Sequence, residues 1–369
     1  MGETVLKILV TGANGFVGKN LICQLRNKGY NDIFSYDIDT DPGLLDFYTS
    51  QCEFVFHLAG VNRPEKEEDF MKGNFGFSSI LLDSLLKNGN KAPVLITSSI
   101  QAELSNPYGK SKKAGEDLIY SYGKNNNINV HVYRLPNVFG KWCRPNYNSA
   151  VATFCNNIAN DIDITINDRN VDMRLVYIDD VVNEFISVLT GEEKGEVTPV
   201  HQIKLGEIVD LLYKFKNSRT DLSLPDFNNA FEKKLYSVYL SYLPKNEFSY
   251  QLKMNIDNRG SFSEFIRTPD RGQVSVNISK PNITKGNHWH HTKNEKFLVV
   301  SGKGVIRFRA VNEDEVLEYY VSGDKLEVVD IPVGYTHNIE NLGDTDMVTI
   351  MWANEAFDPE RPDTYYLEV

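Results

Sequence analysis

The segment Thr11-Gly12-Ala13-Asn14-Gly15-Phe16-Val17-Gly18 restricts the fold more than any other part of the chain. It follows directly on Val5-Leu6-Lys7-Ile8-Leu9-Val10, a short apolar run that reads as a buried strand. It opens into a helical stripe of Phe16, Val17, Leu21, Ile22 and Leu25. Gly12 permits the tight turn, Gly15 lets backbone approach a pyrophosphate, and Gly18 lets the helix pack on the strand. The free N–H groups at the helix start would face that pyrophosphate. A strand, turn and helix of this kind call for a parallel sheet with crossover helices.

Further strands and helices alternate downstream. Ile33–Asp37 is the second strand, and Asp37 lies where an acidic residue binds the ribose diol of a dinucleotide, which favours NAD over NADP. Glu53–Gly60 is the next strand, ending in Leu58-Ala59-Gly60, small enough to face a nucleotide. His57 within it reads as a packed, hydrogen-bonded side chain. An apolar run (Val94 to Ile96) leads into Thr97-Ser98-Ser99, and a helix then carries Tyr108 and Lys112. Positions four apart share a helix face, and an ammonium beside a phenol lowers its pKa from ~10. With a serine hydroxyl from the strand end, the set can move a proton to or from a C–OH/C=O centre beside a hydride carrier. Val130–Leu135 is a further strand, ending in Pro136-Asn137. The alternation predicts an α/β Rossmann-like doubly wound parallel sheet, with ligands beyond the carboxyl ends of its strands.

The net charge of −11 leaves no basic patch and argues against nucleic acid as a partner. Cys23, Cys52, Cys143 and Cys155 show no C-x-x-C spacing and read as free thiols of a reducing compartment. No signal peptide or long apolar span is evident, so a cytoplasmic protein with no membrane partner is expected.

The segments Thr11–Gly18, His57–Gly60, Asn74–Gly76, Ser98–Ser99, Tyr108–Lys112, Arg134–Gly140 and Arg174–Val181 fall in one order. That order resembles an extended short-chain dehydrogenase/reductase acting on nucleotide sugars, over about residues 1–243. The resemblance implies Tyr108 as general acid/base and Lys112 as the residue that tunes it and holds the nicotinamide ribose. It implies Ser99, with Ser98 as fallback, in the substrate-binding role. Cofactor contacts would come from Gly12, Gly15, Phe16, Val17, Gly18, Asp37, Leu58, Ala59, Gly60, Tyr108, Lys112 and Pro136. Asn137 and Arg174 would meet substrate, and Asp179 and Asp180 read as helix caps.

After a connector at Pro244–Phe248 the texture changes to short alternating runs: Gln273–Ile278, Lys296–Val300, Val305–Arg309 and Met347–Trp352. Many short strands with turns predict a sandwich or barrel over 244–369. Four of the seven histidines lie between His288 and His337. His288-Trp289-His290 puts two imidazoles on one strand face. With Glu295, and His337 in Pro332-Val333-Gly334-Tyr335-Thr336-His337, the spacing resembles the paired motifs of the cupin family, an all-β jelly-roll barrel. The resemblance implies a divalent metal on His288, His290, Glu295 and His337, and three imidazoles with one carboxylate suit zinc or another borderline transition ion. Asp257–Phe265, Lys285–His288 and Lys296–Val299 also resemble the dTDP-sugar 3,5-epimerases, themselves cupins. There His288 would be a general base α to a 4-keto group and Lys296 the enolate stabiliser. His288 is therefore either ligand or base.

Reductase first and cupin second resembles a family of bifunctional capsule-biosynthesis enzymes. That resemblance implies C3 epimerisation of a UDP-linked 4-keto-6-deoxy-N-acetylhexosamine in the cupin. NADPH-dependent C4 reduction would follow, giving UDP-2-acetamido-2,6-dideoxy-L-talose, a precursor of UDP-N-acetyl-L-fucosamine. NADPH stands against the NAD preference read from Asp37. By analogy a homodimer through the cupin is expected. The alternative is an NAD-dependent nucleotide-sugar 4-epimerase or dehydratase with a purely structural, dimerising cupin. Ile100 and Gln101 after Ser99 disfavour a dehydratase, which needs an acidic pair there. A non-enzymatic sugar-binding protein on the same two folds is a third reading, and the complete Ser99/Tyr108/Lys112 set weighs against it.

Overall fold

A computed structural model describes residues 6–369, so Val5 of the first expected strand lies outside the described residues. The chain divides into two compact units, residues 1–213 with 227–244 and residues 214–226 with 245–369. The segment 214–226 thus groups with the second unit, although it precedes the boundary expected at 243.

In the first unit, β1 (Ile8–Thr11), β2 (Ile33–Tyr36), β3 (Phe54–His57), β4 (Val94–Ser99) and β5 (Val130–Leu135) form one sheet in the order β2-β1-β3-β4-β5. Every pairing is parallel. The first-unit helices before β5 are α1 (Phe16–Asn27), α2 (Leu44–Gln51), α3 (Glu68–Met71), α4 (Phe77–Lys87) and α5 (Pro107–Asn126). A π-helical turn, Lys72–Gly76, runs between α3 and α4. Alternate strand residues face opposite layers. Ile8, Val10 and Phe56 pack with Leu21 and Leu25 of α1, whereas Leu9, Val55 and Ile96 pack with Leu81 of α4 and Ile119 of α5. Burial on both faces is why these strands read as unbroken apolar runs.

After β5 come β6 (Asn137–Phe139), α6 (Ala150–Ala159), β7 (Asp172–Tyr177), α7 (Ile178–Ser187), β8 (His201–Lys204), α8 (Leu205–Asp221) and α9 (Ala230–Leu240). The three strands make a small sheet, β6-β7-β8. α9 starts three residues later than the apolar stripe from Phe227, because the Asn229 side chain caps it by accepting from Phe231 and Glu232 N–H at 3.0 and 3.2 Å.

The second unit is antiparallel. Its strands are β9 (Asn255–Asp257), β10 (Gly260–Thr268), β11 (Gly272–Ser279), β12 (Thr284–Trp289), β13 (Glu295–Ser301), β14 (Lys303–Ala310), β15 (Val316–Ser322), β16 (Val328–Ile331), β17 (Tyr335–Asn341), β18 (Met347–Ala353) and β19 (Tyr365–Tyr366). They form two sheets, β16-β13-β18-β11-β10-β9 and β15-β14-β17-β12-β19. Phe297 and Ile331 from the first meet Ile306, Phe308 and Ile339 from the second in one core. This is the β-rich jelly-roll architecture expected of the C-terminal region.

Candidate functional site

The glycine turn is built as its spacing requires. Gly12 has φ +68°, and a Cβ there would lie 2.7 Å from the Ala59 nitrogen. A Cβ on Gly18 would lie 2.2 Å from the Gly12 carbonyl oxygen, so Gly18 is what lets α1 close onto the turn. A Cβ on Gly15 would meet protein only at the Gly12 oxygen, 3.0 Å away, and the space beyond is open. Gly15 is also the N-cap of α1, with no side chain bonded to the helix N-terminus. Phe16 and Val17 begin that helix. Asp37 follows β2 and points its carboxylate at the turn. Oδ2 accepts from Asn14 N–H at 2.6 Å and Oδ1 from Ile38 N–H at 2.8 Å. It braces the turn through Oδ2, while Oδ1 bonds its own neighbour.

α5 delivers the tyrosine and lysine. Asn106 caps it, accepting from Gly109 N–H at 2.7 Å, and Pro107 occupies its first position. Tyr108 therefore stands in the first turn and Lys112 one turn on. Lys112 Nζ lies 5.9 Å from the Tyr108 ring centroid and donates to the Thr97 carbonyl at 3.2 Å. Burial pushes Lys112 down to about 8, with Glu116 acting the other way. The expected lowering of the Tyr108 pKa by Lys112 is not what the geometry gives. The ammonium sits over the ring, and burial raises the phenol, with nearby Ser99 opposing.

The two serines have different partners. Ser98 is buried and donates to Glu116 Oε1 at 2.6 Å, and Arg134 holds both Glu116 oxygens at 2.7 Å. Ser99 accepts from Gln101 N–H at 3.2 Å and lies near enough to Tyr108 to act on its phenol. The structure thus joins Ser99, Tyr108 and Lys112. Asn62, absent from the sequence reading, accepts from the Tyr108 hydroxyl at 3.1 Å. Asn74 holds its loop, accepting from Val61 N–H and donating to the Val61 carbonyl, both at 2.9 Å. Leu58 and Ala59 pass beside Gly12, and a Cβ on Gly60 would come 3.0 Å from Lys112 Nζ. His57 is a packed histidine, bonded to Thr11 and Ser78 at 2.7 Å each and pushed down to about 3 by burial.

Arg174 is exposed on β7 and shares a cavity of about 480 Å³ with Pro136 and with Ile100, the residue after Ser99. Asn137 is exposed at the start of β6. Asp179 and Asp180 are not caps. They occupy the first turn of α7 and pair with Lys141 and Lys234 at 2.5 and 2.6 Å.

In the second unit, β12 and β17 place His288 directly opposite His337. His290 lies just past the end of β12, and Glu295 opens β13. One donor atom from each of the four lies within 4.8 Å of the others. Glu295 Oε2 is 3.5 Å from His290 Nε2 and 3.4 Å from His337 Nε2. These three buried atoms have no hydrogen-bond partner, a costly arrangement unless something else binds them. The other nitrogen of His290 bonds the Asp363 carbonyl at 2.6 Å, which makes Nδ1 the donor and leaves the Nε2 lone pair facing inward. Burial acts to raise the Glu295 carboxyl, and His290 and His337 outweigh it, holding it well below the usual carboxylate range. Burial and the facing imidazoles push His288 down to about 4, so it is neutral at pH 7. Three imidazoles and a carboxylate with converging lone pairs fit a divalent metal.

Lys296 does not belong to this group. Successive β13 residues face opposite ways, so Glu295 points inward and Lys296 outward, where its exposed ammonium pairs with Asp330. The buried ammonium near the cluster is Lys293, which donates to Thr364 at 3.1 Å and adds to the downward push on His288. Lys293 sits in a loop, where no strand parity marks it.

Residues 8–203 match the NAD dependent epimerase/dehydratase family, and residues 255–365 match the polysaccharide biosynthesis C-terminal domain. The capsular polysaccharide assembling protein CapF of Staphylococcus aureus superposes with a TM-score of 0.94 at 61% identity, covering 99% of this chain and 100% of that one. The chain belongs to the CapF-like family. A second CapF structure, with the inhibitor 3-isopropenyl-tropolone, superposes at a TM-score of 0.89 with 56% identity over the same shares. The UDP-2-acetamido-2,6-beta-L-arabino-hexul-4-ose reductase of Pseudomonas aeruginosa is 46% identical over 368 residues, 99% of each chain. This CapF-like chain is thus an epimerase/dehydratase-family domain joined to a polysaccharide-biosynthesis domain, and the Pseudomonas relative is a UDP-linked hexulose reductase. No helix among the described residues is long and apolar enough to cross a membrane.

Proposed function

We propose that the chain epimerises and then reduces a UDP-4-keto-6-deoxy-N-acetylhexosamine, the epimerisation at C3 in the second unit and the reduction at C4 in the first. The product is UDP-2-acetamido-2,6-dideoxy-L-talose, on the way to UDP-N-acetyl-L-fucosamine for capsular polysaccharide. The observation that supports the reading is that each unit gathers its own cluster of reactive side chains. One is Ser99–Tyr108–Lys112, and the other is the inward-facing His288, His290, Glu295 and His337.

In the first unit the hydroxyls of Ser99 and Tyr108 bind the C4 carbonyl oxygen. Tyr108, held protonated at neutral pH by burial, gives that oxygen its proton. Lys112 holds the nicotinamide ribose, and the open space at Gly15 takes the pyrophosphate. Leu58, Ala59, Gly60 and Pro136 border the cofactor, and Asn137 and Arg174 meet the substrate. NADPH supplies the hydride. Asp37 stands against this cofactor: two backbone N–H groups donate to its carboxylate, which keeps its charge.

In the second unit His290, Glu295 and His337 would hold a divalent metal, zinc by the chemistry of the donors. Such an ion would supply Lewis-acidic charge to stabilise an enolate. The tropolone of the inhibited CapF is a bidentate oxygen chelator, which supports this reading. Neutral His288 takes the C3 proton, which the neighbouring ketone acidifies, or completes the metal shell. His288→Asn separates these roles: lost exchange with metal retained marks a base, and lost metal marks a ligand. The protein works as a homodimer joined through the second unit, in the cytoplasm.

Incubation with the UDP-4-keto sugar in deuterated water, with and without NADPH, tests the sequence by NMR. Deuterium is expected at C3 without NADPH, and a C4 alcohol only with it. Tyr108→Phe should stop reduction and leave exchange intact. Neither exchange nor cofactor oxidation would overturn the bifunctional reading.

A further inference from the structure

Asp363 lies 68 residues beyond Glu295, in the segment that leads into β19. Its carboxylate takes four hydrogen bonds from the loop between His290 and Glu295. Oδ1 accepts from His291 N–H at 3.0 Å, and Oδ2 accepts from Thr292 N–H at 2.9 Å, Thr292 Oγ1 at 3.0 Å and Lys293 N–H at 2.9 Å. Its own carbonyl accepts from His290 Nδ1 at 2.6 Å. One residue therefore fixes the tautomer of one inward-facing histidine and the path of the chain to the inward-facing carboxylate. It has left-handed backbone, φ +36°, which aims the carbonyl and the carboxylate at the same loop.

The residues that follow are tied to the strand bearing His288. Tyr366 pairs with His288 and Tyr365 with Trp289, and Leu367 N–H donates to the Asn287 carbonyl at 3.0 Å. Asp363 is thus anchored to β12 on one side and grips the 291–293 loop on the other. Two of the four converging side chains, His290 and Glu295, flank the loop that this junction holds.

We propose that Asp363 is the positioning residue that preorganises His290 and Glu295 for a divalent metal. This rests on reading the four-residue cluster as a metal site. An outer partner of this kind typically changes metal affinity about 10- to 100-fold. A loop merely held for stability would instead leave the affinity of the folded protein unchanged.

The test is Co(II) binding to the full-length protein, read by its visible spectrum and by competition with a chromophoric chelator. Wild type, Asp363→Ala and Asp363→Asn are compared, with circular dichroism and thermal melting as a check that the second unit is folded. One equivalent of Co(II) is expected to bind wild type, with affinity about 10- to 100-fold lower in Asp363→Ala and an intermediate value in Asp363→Asn. Both variants keep the backbone carbonyl that accepts from His290, and asparagine also keeps one side-chain acceptor for the loop. If Asp363→Ala fails to fold, the loss of affinity in Asp363→Asn decides. Unchanged affinity and spectrum in a folded variant, with wild type binding Co(II), would overturn the positioning role and leave the metal site standing. Absence of Co(II) binding by wild type would overturn the metal reading and this proposal with it.

Discussion

The Lys112 ammonium lies over the Tyr108 ring, 5.9 Å from its centroid. In the proposed reaction its charge holds the nicotinamide ribose. Reduction needs Tyr108 protonated and Lys112 charged, and both conditions fail as pH rises. With Lys112 pushed down to about 8, kcat/KM for reduction should fall as pH climbs through 8, while Tyr108, pushed upward, titrates later. Lys112→Met should remove that limb of the pH profile. Tyr108→Phe should lower kcat by about 10²- to 10⁴-fold with substrate affinity retained.

Ser98 and Ser99 should separate stability from catalysis. Ser98→Ala removes a buried bond to an ionised Glu116, with an expected loss of about 1.5–3 kcal/mol in denaturant unfolding and little change in kcat. Ser99→Ala should do the reverse. If Ser98→Ala alone lost turnover, the assignment of the substrate hydroxyl would be wrong.

The glycines should divide in the same way. Gly18→Ala places a methyl 2.2 Å from the Gly12 oxygen and should yield unstable protein by thermal melting. Gly15→Ala fits with a small shift but fills the approach to the helix N-terminus. It should raise KM for NADPH while the melting temperature stays near wild type.

Lys296→Ala should leave C3 deuterium exchange at the wild-type rate, since the side chain faces solvent and pairs with Asp330. Its cost in stability should stay below about 1 kcal/mol, as for other exposed ion pairs. His288→Asn should abolish exchange. A large drop in exchange from Lys296→Ala would return this lysine to the site.

The parts legible in the sequence are those fixed by short separations. The Gly12–Gly18 turn, the strand–helix alternation and the one-turn spacing of Tyr108 and Lys112 all follow from local geometry. So does the His288/His290 pair, because strand period brings both to one side. Asn62 reaches Tyr108 across 46 residues and Asp363 reaches its loop across more than 70, and no local pattern marks either. Lys296 was misplaced for a different reason. A family likeness supplied it with a role, although placing Glu295 inward already obliged its neighbour to point away. The lowered tyrosine pKa failed because the i, i+4 rule fixes a shared face and not which atom of the ring the ammonium meets.

That strict in–out alternation along β13 also fixes the sign of the chamber beneath it. A slip of one residue against β18 would turn the carboxylate to solvent and swing an ammonium into the cage of imidazoles. Donors that suit a cation would then face an ammonium, with every atom of the sequence unchanged.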